Sequence, residues 1–279
     1  MKKQRGGRIK DMETYKVICG SSDIKMNADA WMIAKRSLKT PEDVQYDAFT
    51  HVLESSMKNT PIVVKIQNEG VFSKKETDIL SLLTNKKQNN IIGMICKFTC
   101  KDDILRWTEN TKEGTQFCKG GNDTIHIIAM EYISNTIEDI RYLNNSEDVV
   151  TNVLKQILYA LMEMNISNAV MHGDLHIGNI LIDIDEPEEK IYIIANKRIR
   201  LKTFGYHPIL LDFQMGSIGN ITEIKGNILR AIDEMQSILY RLSKGLPEYH
   251  DDIKDLIDNL YTCKSFGQLL ETIDKFELE

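Results

Sequence analysis

Cysteine is scarce in this chain and poorly placed for scaffolding. Five residues in 279 (Cys19, Cys96, Cys100, Cys118 and Cys263) are odd in number and scattered. Such a set is not a disulfide framework, and the close pair Cys96 and Cys100 has no second pair at zinc-type spacing. The expectation is free thiols in a reducing compartment. No apolar run approaches the length needed to cross a bilayer, and the first residues lack the apolar core of a signal peptide. An intracellular, cytoplasmic protein with no membrane partner follows as the expectation. A net charge of −6 gives no reason to expect a nucleic-acid partner. The basic start (Lys2, Lys3, Arg5, Arg8, Lys10) reads as a solvated arm. Repeats and low-complexity tracts are absent as well. What remains is a globular composition, 42% apolar and 27% charged, large enough for one domain or two small lobes around a cleft.

The apolar pattern divides the chain. Thr14–Cys19 alternates like a strand and ends at Gly20-Ser21-Ser22-Asp23, whereas Asn27 to Lys58 has helical spacing broken at Pro41. Pro61 to Ile66 predicts a strand, and a helix begins at Ser73 with Glu76 in its first turn. Ile91 to Phe98 and Thr124 to Ile133 predict two more strands, separated by a polar loop at Asn110 to Asn122. From Asp148 to Asn165, Val149, Val150, Val153, Leu154, Ile157, Leu158, Leu161 and Met162 recur at helical spacing. Ile191 to Ile194 and Pro208 to Phe213 read as strands, and Ile228 to Leu242, Ile253 to Tyr261 and Phe266 to Phe276 as helices. The division is a strand-rich part, residues 1–133, with a helical insertion near 27–58, and a helix-rich part, 134–279.

Two segments carry chemistry. Met171-His-Gly-Asp-Leu-His-Ile-Gly-Asn179 places Asp174 five residues ahead of Asn179, between apolar flanks. Leu210-Leu-Asp-Phe213 places Asp212 at the end of an apolar strand, where a carboxylate needs a cation nearby. A carboxylate to take a hydroxyl proton, with an amide and a second carboxylate for metal ions, is the set that phosphoryl transfer needs. Lys65 interrupts an apolar β-branched run. Alone it fits an edge strand facing solvent; with Glu76 eleven residues on, it fits a phosphate-contacting lysine held by a carboxylate. His172 reads as a structural hydrogen-bonding residue, whereas His176 either approaches the transferred group or braces its loop. Met130 is a pocket wall or a core methionine.

In order, Lys65, Glu76, Asp174, Asn179 and Asp212 resemble the strand lysine, helix glutamate, catalytic aspartate, loop asparagine and metal aspartate of the protein-kinase-like superfamily. The Asp-Leu-His-x-Gly-Asn form, and the 33 positions from Asn179 to Asp212, are most similar to haspin-type kinases and kinase-like proteins of large DNA viruses. That interval holds an extra hairpin-like segment, Lys190 to Tyr206. The resemblance implies an α+β, bilobal fold with an antiparallel-sheet N-lobe and a mostly helical C-lobe. It also implies ATP and Mg2+ as cofactors, with Asp174 as catalytic base and Asn179 and Asp212 as metal ligands. Lys65 would contact phosphates, Met130, Glu131 and Tyr132 would form the adenine-side hinge, and Asp233 would brace the catalytic loop. A viral origin would make the compartment host cytoplasm or virion.

Three departures qualify that resemblance. No Gly-x-Gly-x-x-Gly precedes Lys65, and the candidate phosphate cover, Gly20, lies 45 positions upstream. Gln214 stands where kinases have the glycine after Asp-Phe. Only 21 positions separate Asp212 from Asp233, and no Ala-Pro-Glu motif occurs, so no phosphorylatable activation segment is expected. The leading expectation is a Ser/Thr protein kinase. The alternatives are a pseudokinase that binds partners, motivated by the missing glycines, and a small-molecule phosphotransferase, since aminoglycoside and choline kinases share the His-Gly-Asp-Leu-His-x-Gly-Asn run.

Overall fold

The computed structural model describes residues 32–37, 50–57, 60–68, 71–102, 120–140, 146–220 and 224–278. They form two compact units, with divisions after Ser81, Ile91 and Tyr132. The sheet unit runs through Ser81 and resumes over Ile92–Tyr132; the helical unit takes Leu82–Ile91 and the chain from Ile133.

The sheet unit is built on five antiparallel strands: β1 (Met32–Ser37), β2 (Thr50–Met57), β3 (Thr60–Asn68), β4 (Met94–Asp102) and β5 (Asp123–Glu131), in the order β1-β2-β3-β5-β4. Since β3 is central, its run Val64, Lys65, Ile66 and Gln67 is buried throughout, which explains why it reads as near-continuously apolar. Helix α1 (Val71–Asn85) buries Glu76, Ile79, Leu80 and Leu83. The helical insertion expected near 27–58 is overturned where the structure describes it. Residues 32–37 and 50–57 are strands, and β2 pairs with β3 over eight positions, from Met57↔Thr60 to Thr50↔Gln67. A hairpin partner only two residues away satisfies this backbone as strand, and that tertiary choice outweighs apolar spacing in a short window. The strand expected at Thr14–Cys19, and Gly20 with it, lie outside the described residues.

In the helical unit, α2 (Glu147–Met162) is buried on every side from Val149 to Met162 and forms its centre. Acidic Glu147 and Asp148 occupy its first turn, where the helix dipole favours them. Helices α3 (Ile224–Gly245), α4 (His250–Thr262) and α5 (Phe266–Lys275) follow. The strands are short: β6 (Asn135–Thr136), β7 (Val170–Met171), β8 (Ile180–Ile184), β9 (Glu189–Ile194), β10 (Lys197–Lys202), β11 (Tyr206–Leu210) and β12 (Ser217–Ile218). They pair antiparallel as β11-β8-β6, β10-β9 and β12-β7. No helix among the described residues is long and apolar enough to cross a membrane. Cys263 is a buried free thiol, but Cys100 is disulfide-bonded, which corrects the free-thiol reading there. Spacing along the chain does not reveal which sulfurs meet in space.

Asn90, with φ of 61°, is a buried hub. Its Nδ2 donates to Pro208 O (2.7 Å) and Gln156 Oε1 (3.2 Å), and its Oδ1 accepts from the Tyr192 hydroxyl (2.8 Å). Its carbonyl accepts from Leu210 N (2.8 Å), so it fixes β11 two residues before Asp212. Asparagine is one of the few residues that tolerates this backbone conformation and can also bond in several directions.

After α2 the chain widens into a π turn, Glu163–Ser167. Buried Glu163 accepts from Ile193 N (2.8 Å) through Oε1, while Oε2 has no hydrogen-bond partner. Burial pushes its carboxyl up to about 7 from 4.5. A group with a raised folded pKa binds more protons when folded, so its stabilisation is complete below about pH 4.5 and is lost as pH rises to about 7. Urea unfolding at pH 5 and 7.5 should show a loss on the order of 2 kcal/mol that is absent from Glu163→Gln. An equal loss in the variant would assign the pH dependence elsewhere.

Candidate active site

In the sheet unit, Lys65 on β3 meets Glu76 on α1. Lys65 Nζ lies 2.8 Å from both carboxylate oxygens, and Gln67 Nε2 donates to Glu76 Oε2 at 2.9 Å. Lys65 and Gln67 are two apart on one strand and so share a face, onto which α1 brings Glu76. The ammonium and carboxylate are almost wholly buried, a costly arrangement that persists because each oxygen is bonded. On β5, Met130 is buried and pairs with Val63 and Met94. Glu131 N donates to Gly93 O (3.1 Å), so of the expected hinge groups this N–H is already used. The Glu131 carboxylate lies over Gly93, where a Cβ would come within 2.5 Å of it. Tyr132 is half-buried and ends the unit.

The helical unit brings the other expected residues together. After β7 the chain turns at Gly173, whose φ is +80° and whose missing Cβ would sit 2.4 Å from Met215 O, so only glycine fits. Asp174 then projects exposed. His176 caps the short turn Ile177–Asn179, with its Nδ1 accepting from Gly178 N at 3.1 Å. That bond gives His176 a bracing role and leaves its Nε2 as the proton-bearing nitrogen of the neutral ring. Asn179, buried, donates from Nδ2 to Asp174 O at 3.0 Å.

Asp212 follows β11 with φ of 66°, a left-handed conformation that aspartate tolerates better than most residues. The preceding peptide is tied to the Asp174 loop twice. Leu211 N donates to Asn179 O (3.1 Å), and His172 Nε2 donates to Leu211 O (2.8 Å). Burial lowers the His172 pKa, against smaller opposing effects of the Leu211 bond and of Asp212 and Asp174. The neutral ring therefore spends its one N–H on Leu211, and its Nδ1 is buried without a hydrogen bond. Phe213, fully buried, packs on His172 with ring centroids 4.6 Å apart.

One expected contact is corrected by a single residue. Asp233 is exposed; the residue that braces the loop is Glu234. Glu234 Oε1 accepts from Gly173 N and Oε2 from Asn165 Nδ2, each at 2.8 Å, and the His172 backbone donates to it as well. Adjacent helical positions point about 100° apart, so only the packed rotation of α3 decides which acid faces inward. Burial raises the Glu234 pKa, and these bonds oppose the rise. Sequence reasoning also missed Gln67, two positions from Lys65 and bonded to the same Glu76, and Asn90, whose partners lie on distant segments and which carried no motif.

The donor set suits a hard cation. Asn179 commits its amide nitrogen to Asp174 O, so its oxygen is the atom able to meet a metal, and Asp212 adds a carboxylate. Oxygen ligands of this kind fit Mg2+, which binds few protein groups and completes its shell with phosphates and water. No cluster of three His, Cys, Asp or Glu residues among those described offers a self-sufficient cage.

A family model described as the ABC1 atypical kinase-like domain matches residues 123–259, from β5 into α4. No curated protein sequence matches the chain. Among solved structures the chain is similar to the Cydia pomonella granulovirus kinase PK-1, at 17% identity and a TM-score of 0.42, over 71% of this chain and 58% of that one. The chain thus spans less than two thirds of that structure's length.

Proposed function

The chain has a protein-kinase-like α+β fold, and from that premise we propose that it is an ATP- and Mg2+-dependent kinase acting on Ser or Thr hydroxyls of protein substrates. The observation that carries this reading is the pair of bonds from Leu211 to Asn179 and His172, which lock Asp212 to the Asp174 loop. Asp174, exposed and held through its backbone, orients the acceptor hydroxyl and takes its proton. Asn179 and Asp212 would hold Mg2+, which when bound neutralises charge on the phosphate oxygens. Lys65, kept in place by Glu76, contacts the phosphates, and Met130, Glu131 and Tyr132 serve the adenine end. A protein acceptor and a haspin-like affinity are supported by the Glu131-Tyr132 pair and the long Asn179-to-Asp212 interval.

The test is incubation with labelled ATP, Mg2+ and a basic, Ser/Thr-rich protein. Label on Ser or Thr is expected. Nucleotide binding without transfer would make the chain a pseudokinase, and turnover only with small alcohols would make it a small-molecule phosphotransferase. Lys65→Met should lower kcat/KM about 10²-fold or more, and because it leaves the buried Glu76 carboxylate with Gln67 as its donor it should also lower stability. Glu76→Ala removes the other half of the same buried pair and should destabilise by about 3–5 kcal/mol. Undiminished kcat/KM in folded Lys65→Met would remove Lys65 from the phosphate site.

A further inference from the structure

The β9–β10 hairpin lies between Asn179 and Asp212 in the chain and takes no part in the reading above. Its two edges differ. On the β9 side, Asn89 Nδ2 donates to Ile191 O (2.8 Å), Ile193 N donates to Glu163 (2.8 Å), and Ser167 Oγ donates to Ile193 O (2.9 Å). Ile191 and Ile193 therefore turn their main-chain groups away from β10. In an antiparallel ladder their opposite residues, Arg200 and Arg198, must likewise turn theirs away from β9. Asn152 confirms the direction at one end, donating to Lys202 O at 2.9 Å. Among the described residues nothing bonds the outward N–H and C=O groups of Arg198 and Arg200, and β10 has no second neighbour.

The faces beside this edge are chemically distinct. Arg198, Arg200 and Lys202 share one face with Ile191 and Ile193, which are 38% and 49% exposed. Ile199 and Leu201 are half-buried on the other. Arg200 meets Glu189 at 3.2 Å across exposed side chains, a weak pairing, and Arg198 has no acidic partner among the described residues. Cations on an edge strand ordinarily block self-association, and a second copy would set arginine against arginine. They do not block a strand of opposite charge. Acidic side chains opposite Arg198 and Arg200 would pair with them, and apolar ones would extend the half-buried face of Ile199 and Leu201.

We propose that β10 is a docking edge for an extended acidic segment of a partner protein, added as an antiparallel strand. Its acidic residues lie opposite Arg198 and Arg200, and its apolar residues alternate with them on the face of Ile199 and Leu201. This binding does not depend on phosphoryl transfer.

The probe is a fluorescein-labelled peptide of alternating Glu and Val, titrated onto the full chain by anisotropy at physiological salt. Saturable binding is expected, weakened about tenfold or more in R198E/R200E. Residues opposite Arg198 and Arg200 exchange both main-chain bonds with them, so N-methylation of the glutamates should abolish binding while N-methylation of the valines leaves it intact. Equal affinity of the two methylated peptides would reduce the contact to charge attraction and overturn strand addition. Absence of peptide binding would overturn it too, as would phosphatidylserine vesicles or RNA binding in its place. If R198E/R200E fails to fold, the methylated pair decides the matter on the wild-type chain.

Discussion

Asp174→Asn is expected to slow phosphoryl transfer by about 10²- to 10⁴-fold while leaving the melting temperature within a few degrees of wild type. The asymmetry comes from how Asp174 is held. Its carboxylate is exposed, and the bond that fixes its position runs from Asn179 Nδ2 to its backbone oxygen, which asparagine keeps. Neighbouring His172 is not poised to replace the lost base, because its unprotonated nitrogen, Nδ1, is buried and burial lowers the ring's affinity for a proton. The measurement is single-turnover transfer from labelled ATP, beside thermal unfolding followed by circular dichroism. Undiminished transfer would remove Asp174 from the chemistry. A collapse of Tm would make it a structural residue.

Glu234→Ala should do the reverse, lowering stability first and activity as a consequence. Three donors converge on this buried carboxylate: Gly173 N, Asn165 Nδ2 and the His172 backbone. Truncation takes this acceptor from all three, leaving Asn165 Nδ2 with Leu161 O alone. At about 1–3 kcal/mol for each unsatisfied group, the loss is on the order of 4 kcal/mol once relaxation is allowed for. Gly173 is also confined by φ and by Met215 O, so a freed loop has few alternative conformations in which to hold Asp174. Asp233→Ala, one residue away on the solvent side, is the control and should change unfolding by less than about 0.5 kcal/mol. Equal effects of the two substitutions in urea unfolding would show that Glu234 does not hold the loop.

The pairing of these neighbours shows where a linear reading stops. The apolar periodicity of Val149 to Met162, the run at Ile62 to Ile66, and the order of Lys65, Glu76, Asp174, Asn179 and Asp212 were all visible in the chain. Each reflects local chemistry: a helix buried all round, a central strand, polar groups at fixed offsets. The sequence by itself determined the α+β class and the inventory of polar groups. It did not determine β1 and β2, because helical and strand spacing overlap in short windows and only pairing with β3 settles the outcome. The choice of Glu234 over Asp233, the hub at Asn90, the Leu211 bonds and the open edge of β10 were likewise decided by the tertiary structure. Each depends on segments tens of residues apart meeting at a definite rotation or register, and that relation is set by packing between elements rather than by any residue's own preference.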